Sequence, residues 1–94
     1  MYYLIAYRLH RLGQQYEALY AAIKNLSGTC WHNTTSSWIV SSSFSARQIY
    51  DNLKLTIDGN DELAVFKLEG SYYGQLNPDD LKWLEGQSGL RVSA

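Results

Sequence analysis

The chain opens with a short, aromatic-rich run, residues 2–9, in which apolar side chains occupy odd and even positions alike. A strand that is covered on both faces has this pattern. From Gln15 the apolar spacing changes to that of an amphipathic helix, and Ser27-Gly28 supplies a typical helix end. The helical stripe consists of Tyr16, Leu19, Tyr20, Ile23 and Leu26.

The middle of the chain predicts two further strands, a second helix and a fourth strand. Residues 29–33 and 37–42 are the two strands, with a polar turn between them. Ser45 opens the helix, where Gln48 three residues on predicts a capping box. The turn sequence DGND follows the second helix. In residues 62–69 the apolar side chains alternate enough between the two faces of an extended chain to predict the fourth strand.

The resulting order, β-α-β-β-α-β over residues 1–70, predicts an α+β fold of the ferredoxin-like type. Its four strands form one antiparallel sheet with both helices on the same face. The second face is then bare in a monomer and carries Tyr2, Leu4 and Ala6, a large apolar surface to leave in water. We therefore expect a homodimer that covers this face.

Residues 71–94 form a C-terminal extension. Its GSYYG stretch predicts a short edge strand that adds to a neighbour's sheet, which places Tyr72 and Tyr73 in the same dimer interface. Asn77 and Pro78 are a good N-cap and first residue for a short helix that ends at Gly86. The last residues, QSGLRVSA, show no clear structure and read as a frayed tail.

Composition limits the partners and the compartment. The 94 residues carry eight basic and nine acidic side chains and a formal charge of −1, which argues against a broad grip on nucleic acid. The single cysteine, Cys30, cannot form an internal disulfide, so we expect a reducing environment. With no signal peptide pattern and no run of about 20 apolar residues, we expect a cytoplasmic protein with no membrane partner.

One basic cluster is the candidate binding site. Arg8, His10 and Arg11 follow the first strand, and arginine offers a forked grip on phosphate. The plainer interpretation is solvated charge at a strand end, or an ion pair with an acidic side chain across the dimer interface. The sequence favours the plainer interpretation.

Other reactive residues predict no catalytic or metal site. Cys30 and His32 share one face of a strand, but no acid is placed locally to orient the imidazole. One cysteine and two histidines, at positions 10, 30 and 32, fall short of a structural zinc site. The serines of residues 41–47 are better explained as helix caps than as a phosphate-binding site. The acidic residues within 58–62 are better explained as turn residues than as a calcium or catalytic site. We expect no cofactor.

Four segments carry a family resemblance: YLIAYRL, then G-x-x-YEAL-x-x-x-I, then SSWIVSSSFSARQI, then D-G-N-DELAVFKL. Over residues 2–70 they resemble short bacterial chains labelled SinR-family proteins, which look like relatives of the CRISPR-associated Cas-two family of small ferredoxin-like dimers. The Cas-two pattern ends its first strand in Tyr-Asp, and that aspartate is the proposed metal ligand of the nuclease members. The corresponding pair here is Tyr7-Arg8, and a permanently charged arginine cannot ligate Mg²⁺.

The resemblance thus implies a dimer with two Arg8 side chains near its axis and disfavours metal-dependent nuclease activity. Our leading expectation is a non-catalytic binding or assembly module in a mobile-element or defence setting, with nucleic acid or another protein as candidate partner. One alternative is a nuclease that acts on RNA or DNA without metal or with acids that the sequence does not reveal. Another is a regulatory domain that binds a small anion or nucleotide through Arg8 and Arg11.

Overall fold

A computed structural model describes residues 1–9, 14–32, 37–87 and 89–92. Within these residues a single 3-10 turn, Lys54–Thr56, follows the second helix. The elements are β1 (Tyr2–Arg8), α1 (Gln14–Leu26), β2 (Thr29–Trp31), β3 (Ser37–Ser41), α2 (Ala46–Leu53), β4 (Glu62–Leu68), β5 (Ser71–Tyr72), α3 (Pro78–Glu85) and β6 (Arg91–Val92).

The first four strands form one antiparallel sheet in the order β2-β3-β1-β4. The inner strand β1 pairs with β3 on one side, where Leu4 lies opposite Ile39, and with β4 on the other, where Leu4 lies opposite Phe66. The short strands β5 and β6 form a separate parallel pair. The predicted α+β class and four-stranded antiparallel sheet are confirmed.

The core lies between one face of the sheet and the first two helices. Strand β1 sends its odd-numbered side chains into this layer, and α1 and α2 meet them with their apolar stripes. Each leucine or isoleucine that is fully buried there adds about 1.5–3 kcal/mol to the free energy of unfolding, because folding removes its apolar surface from water. The buried residues of the layer are Tyr3, Ile5, Tyr7, Leu9, Leu19, Ile23, Trp38, Val40, Ile49 and Leu53.

The helix starts expected from the sequence are confirmed. The Ser45 hydroxyl accepts from the Gln48 backbone N–H at 3.1 Å, and the Gln48 side chain accepts from the Ser45 N–H at 2.9 Å. At α3, Asn77 accepts from the Asp80 backbone N–H at 3.0 Å and Pro78 is the first helical residue. In the part of the chain that is described, no helix combines the length and apolar character needed to cross a bilayer.

The second face of the sheet is not bare across its whole width, so that expectation is wrong in part. Helix α3 packs on this face against the edge strand β2. The Trp31 indole N–H donates to the Asp80 carboxylate at 2.7 Å, and the Trp83 indole N–H donates to the Thr29 hydroxyl at 3.3 Å. Leu84 of α3 is buried. Two indoles supply both the apolar area and the N–H donors that hold this helix on the sheet.

The expectation of a frayed tail is also wrong for the described residues 87 and 89–92. Leu90 is buried, and the Arg91 N–H donates to the Gly70 carbonyl at 2.7 Å, which starts the β5–β6 pair. Gly70 has a φ of 98°, a conformation that glycine adopts without strain. Gly89 lies against the Tyr2 ring so closely that a Cβ atom would overlap it.

Replacing Trp31 by phenylalanine should loosen α3 and leave the sheet intact. The variant keeps an aromatic ring but removes the N–H donor that meets the Asp80 carboxylate. Hydrogen bonds to charged groups are worth about 1.5–3 kcal/mol, so amide exchange in α3 should accelerate roughly tenfold or more. Exchange in β1 should change far less.

The matched control is Trp83→Phe, which loses a longer hydrogen bond to a neutral hydroxyl and should have a smaller effect. Equal acceleration of β1 and α3 in Trp31→Phe would mean that α3 does not dock as a separate unit.

Candidate functional site

Arg8 is the last residue of β1 and lies on the second face of the sheet, opposite the helices. Its guanidinium Nη1 is 3.8 Å from Glu62 Oε2 on β4, and the two side chains are 77% and 69% exposed. The carboxylate partner belongs to the same chain and faces Arg8 in register. An ion pair this exposed to solvent adds only about 0–1 kcal/mol to the free energy of unfolding. The other two residues of the predicted basic cluster, His10 and Arg11, lie outside the described residues.

The Arg8–Glu62 pair borders a shallow apolar groove of about 360 Å³ on the half of the second face that α3 leaves uncovered. Ala6 and Ala64 lie side by side in the groove. Phe66 borders it and is 54% exposed. We call this surface the open half-face; it consists of Leu4, Ala6, Ala64 and Phe66, with Arg8 and Glu62 at its rim.

The predicted interface residues lie in three places. Leu4 and Ala6 belong to the open half-face. Tyr2 lies toward the covered side, where its hydroxyl donates to the Gln87 side-chain oxygen at 3.1 Å. Tyr72 ends β5, and Tyr73 after it is 84% exposed. Leu4 and Ala6 thus share one face of the sheet, and Tyr2 has a hydrogen-bond partner within its own chain.

A second cluster lies on the helical face and was missed by sequence reasoning. We call it the tyrosine cluster; it consists of Tyr7, Tyr16, Tyr20, His32 and Trp38. The Tyr7 hydroxyl is its hub. It donates to the Tyr20 hydroxyl at 3.2 Å, accepts from the Trp38 indole N–H at 3.2 Å and lies 3.5 Å from His32 Nε2.

The rings of the tyrosine cluster pack in a defined geometry. The His32 imidazole lies flat against the Trp38 indole, with centroids 4.0 Å apart and planes 7° apart. Tyr20 meets His32 edge-on at 4.7 Å. Burial raises the pKa of Tyr7 well above its ordinary value, and the Tyr20 hydroxyl adds to the rise while the Trp38 donor opposes it. Tyr7 therefore stays neutral at physiological pH.

The cysteine, histidine and serine residues that the sequence analysis considered as reactive or phosphate-binding groups make structural contacts within the fold. Cys30 is half-buried and packs against the apolar core, while His32 joins the tyrosine cluster. Ser42 donates to the Leu26 carbonyl at 2.8 Å, and Ser45 caps α2, which agrees with the capping interpretation of this serine-rich segment. Within the described residues, no group of three or more His, Cys, Asp or Glu side chains is arranged to hold a metal ion.

The tyrosine cluster could not be found from sequence spacing because its members come from β1, α1, β3 and the residue after β2. Tyr16 and Tyr20 were visible as part of a helical stripe. Nothing local to them indicates that Tyr7 and His32 meet them. An excess of tyrosine, eight in 94 residues, was the one compositional signal.

Tyr7→Phe should destabilise the protein at neutral pH and reduce its loss of stability in alkali. The variant removes the acceptor of the buried Trp38 N–H, at a cost of about 1–3 kcal/mol. Because folding raises the pKa of Tyr7, its contribution is complete below about pH 10, the ordinary tyrosine value, and is lost as the pH rises beyond it. Urea unfolding at about pH 8 and pH 10.5 measures both effects.

Tyr73→Phe is the control, because Tyr73 is 84% exposed and should behave like the wild type at both pH values. An equal alkaline loss of stability in Tyr7→Phe and the wild type would contradict the role of Tyr7.

The two surfaces share β1, which presents Tyr7 to the tyrosine cluster and Arg8 to the open half-face. The sequence matches no protein-family model, and the comparisons with curated proteins and with solved structures found no match. The function of both surfaces is therefore inferred from contacts within this chain.

Proposed function

We propose that this protein is a non-catalytic, homodimeric binding and assembly module with a ferredoxin-like core of the Cas-two-like type, working in a mobile-element or defence setting. The open half-face is the observation that carries the proposal. It leaves Phe66 more than half exposed beside a groove lined by two alanines. An apolar patch of this shape with a polar rim is typical of a protein–protein interaction site.

The layout of the sheet supports the ferredoxin-like part of the proposal. The four strands follow the order β2-β3-β1-β4, all antiparallel, with α1 between β1 and β2 and α2 between β3 and β4. Both helices contribute to one core against the same face. A split βαβ arrangement has these features.

Arg8 supports the non-catalytic part. It stands at the strand end where the Cas-two pattern has a metal-ligating aspartate, and its described ion-pair partner is Glu62. Mg²⁺ takes oxygen ligands, and a guanidinium at this position repels it. The Arg8–Glu62 pair suits recognition between copies better than metal-dependent cleavage.

The open half-face combines an apolar groove, an exposed aromatic ring and one charge of each sign at its rim, which favours a second copy as its partner. A two-fold axis brings the same patch of each copy together. Phe66 of one copy then fits the alanine-lined groove of the other, and Arg8 can reach Glu62 across the axis. Helix α3 restricts this contact to the β1–β4 half of the sheet, with Leu4 and Ala6 at its centre.

A dimer built on the open half-face should dissociate when Phe66 is replaced by aspartate. At micromolar concentration the wild type should sediment at twice the chain mass of 10.7 kDa, and Phe66→Asp at the chain mass. The physical reason is that two carboxylates would be buried without partners in the interface. Analytical ultracentrifugation makes the measurement, with circular dichroism to verify folding.

Leu55→Asp is the matched control, because Leu55 is 80% exposed and belongs to the 3-10 turn after α2. It should remain dimeric. A monomeric wild type, or a dimer that survives Phe66→Asp, would overturn the proposal.

Anion or nucleic-acid binding through the strand-end arginines is the second candidate, and the 77% exposure of Arg8 favours it. Each phosphate contact contributes about 0.7–0.9 to the slope of log affinity against log salt, so two arginines per subunit give about 3–4 for a dimer. Our leading proposal instead expects near-zero binding of single-stranded RNA or DNA by the wild type and by Arg8→Ala. It also expects Arg8→Ala to change the free energy of unfolding by less than about 1 kcal/mol.

Fluorescence titrations at two salt concentrations separate these candidates. Arg47→Ala is the control, since Arg47 is an exposed arginine paired with Asp51 on α2. Steeply salt-dependent binding that is lost in Arg8→Ala and kept in Arg47→Ala would establish the second candidate.

A further inference from the structure

We propose that α3 and the β5–β6 pair form a removable cover on the second face of the sheet, and that opening this cover strengthens self-association of the protein. We call residues 71–92 the C-terminal cover. This role rests on the proposed function, because the partner that the cover regulates is the second copy on the open half-face.

One apolar row crosses all four strands of the sheet on its second face. Trp31 of β2 lies opposite Ile39 of β3. Ile39 in turn lies opposite Leu4 of β1, and Leu4 lies opposite Phe66 of β4. Side chains that face each other in this way have Cβ atoms about 4.5–5.5 Å apart, so the four residues form a continuous strip. We call this strip the apolar row.

The two ends of the apolar row differ in what covers them. At one end, the Trp31 indole N–H donates to the Asp80 carboxylate of α3, so the C-terminal cover lies against this end. At the other end, Phe66 is 54% exposed. The cover therefore shields part of a surface that continues into the open half-face.

The C-terminal cover is closed on itself by its own backbone. Strand β5 pairs with β6, and the Arg91 N–H donates to the Gly70 carbonyl at 2.7 Å, which joins the two ends of the segment. Its hydrogen bonds to the sheet, among the described residues, run through the side chains of Trp31, Trp83 and Tyr2. A segment that is closed on itself and attached by side chains can lift from the sheet as one body.

The docked cover limits how far two copies can overlap. Sheets that pack face to face lie about 10 Å apart, and a helix with its side chains is about 10–12 Å wide. Helix α3 on β2 therefore fills the space that a facing sheet would occupy there. With the cover docked, the contact between two copies is confined to β1 and β4. With the cover lifted, the whole apolar row is free to take part.

Opening the cover exchanges contacts within one chain for contacts between two copies. It uncovers the indole of Trp31 and the ring of Tyr2, which lies against Gly89 when the cover is docked. Large aromatic side chains carry much of the binding energy of protein interfaces. The apparent affinity is reduced by the fraction of molecules whose cover is closed. A variant that favours the open cover should therefore associate more tightly.

The experiment compares the wild type with Leu84→Asp and Gln75→Asp by analytical ultracentrifugation over a range of concentrations. Leu84 is buried while α3 is docked, so a carboxylate at this position is hydrated only when the cover opens. The dissociation constant of the dimer should fall about tenfold or more in Leu84→Asp. Gln75→Asp is the matched control, since it adds the same charge to the cover at an exposed position and should leave the dissociation constant unchanged.

Amide exchange of the wild type tests the same coupling without a substitution, which keeps the test valid if Leu84→Asp fails to fold. Coupling between two equilibria is reciprocal, so association should in turn favour the open cover. Exchange in α3 should be faster well above the dissociation constant of the dimer than well below it, while β1 stays protected. Slower exchange in α3 on association would refute the proposal, because the docked cover would then be part of the interface.

The failure of this proposal is distinguishable from failure of the proposed function. A wild-type dimer that survives Phe66→Asp contradicts the open half-face as the interface. An unchanged dissociation constant in Leu84→Asp, or aggregates of mixed size in place of a dimer, contradicts the cover alone. Dimerisation of Leu84→Asp beside a monomeric wild type would support the cover.

Discussion

The alternation of side chains along β1 is the constraint on which the rest of the structure depends. Tyr3, Ile5 and Tyr7 enter the core with the helices, while Leu4 and Arg8 face the other way. Because β1 pairs with both β3 and β4, a slip of one residue would exchange the two sets and expose the core. The register of one strand therefore places the tyrosine cluster and the open half-face on opposite sides of the same sheet.

Helix α3 determines how much of the second face of the sheet stays exposed. The helix is held on the sheet by hydrogen bonds from indole N–H groups. The indole of Trp31 donates to the carboxylate of Asp80, which is buried. A buried carboxylate needs such a donor, because an unpaired charge would be costly there. On the β1–β4 half of the sheet, the alanines beside Phe66 leave a surface that is apolar, shallow and bordered by one positive and one negative charge. This combination suits a partner with the same pattern, which is why we favour a second copy.

The tyrosine cluster shows how a small core accommodates polar atoms. Tyr7 is almost fully buried, yet its hydroxyl donates to the Tyr20 hydroxyl and accepts from the Trp38 indole N–H. Burial and the Tyr20 hydroxyl both raise the pKa of Tyr7, so its hydroxyl stays neutral at physiological pH. The core therefore buries a phenol hydroxyl at a point where neighbouring elements supply its hydrogen-bond partners.

The sequence by itself determined the elements whose signals are local. The capping pair Ser45 and Gln48 and the N-cap Asn77 depend on residues three positions apart, and the strands depend on short runs of apolar residues. Tertiary structure alone decided which distant residues meet. Trp31 and Asp80 are 49 positions apart, and Tyr7 and His32 are 25 apart. Local periodicity specifies which face of an element is apolar, but only the packed chain specifies what covers that face.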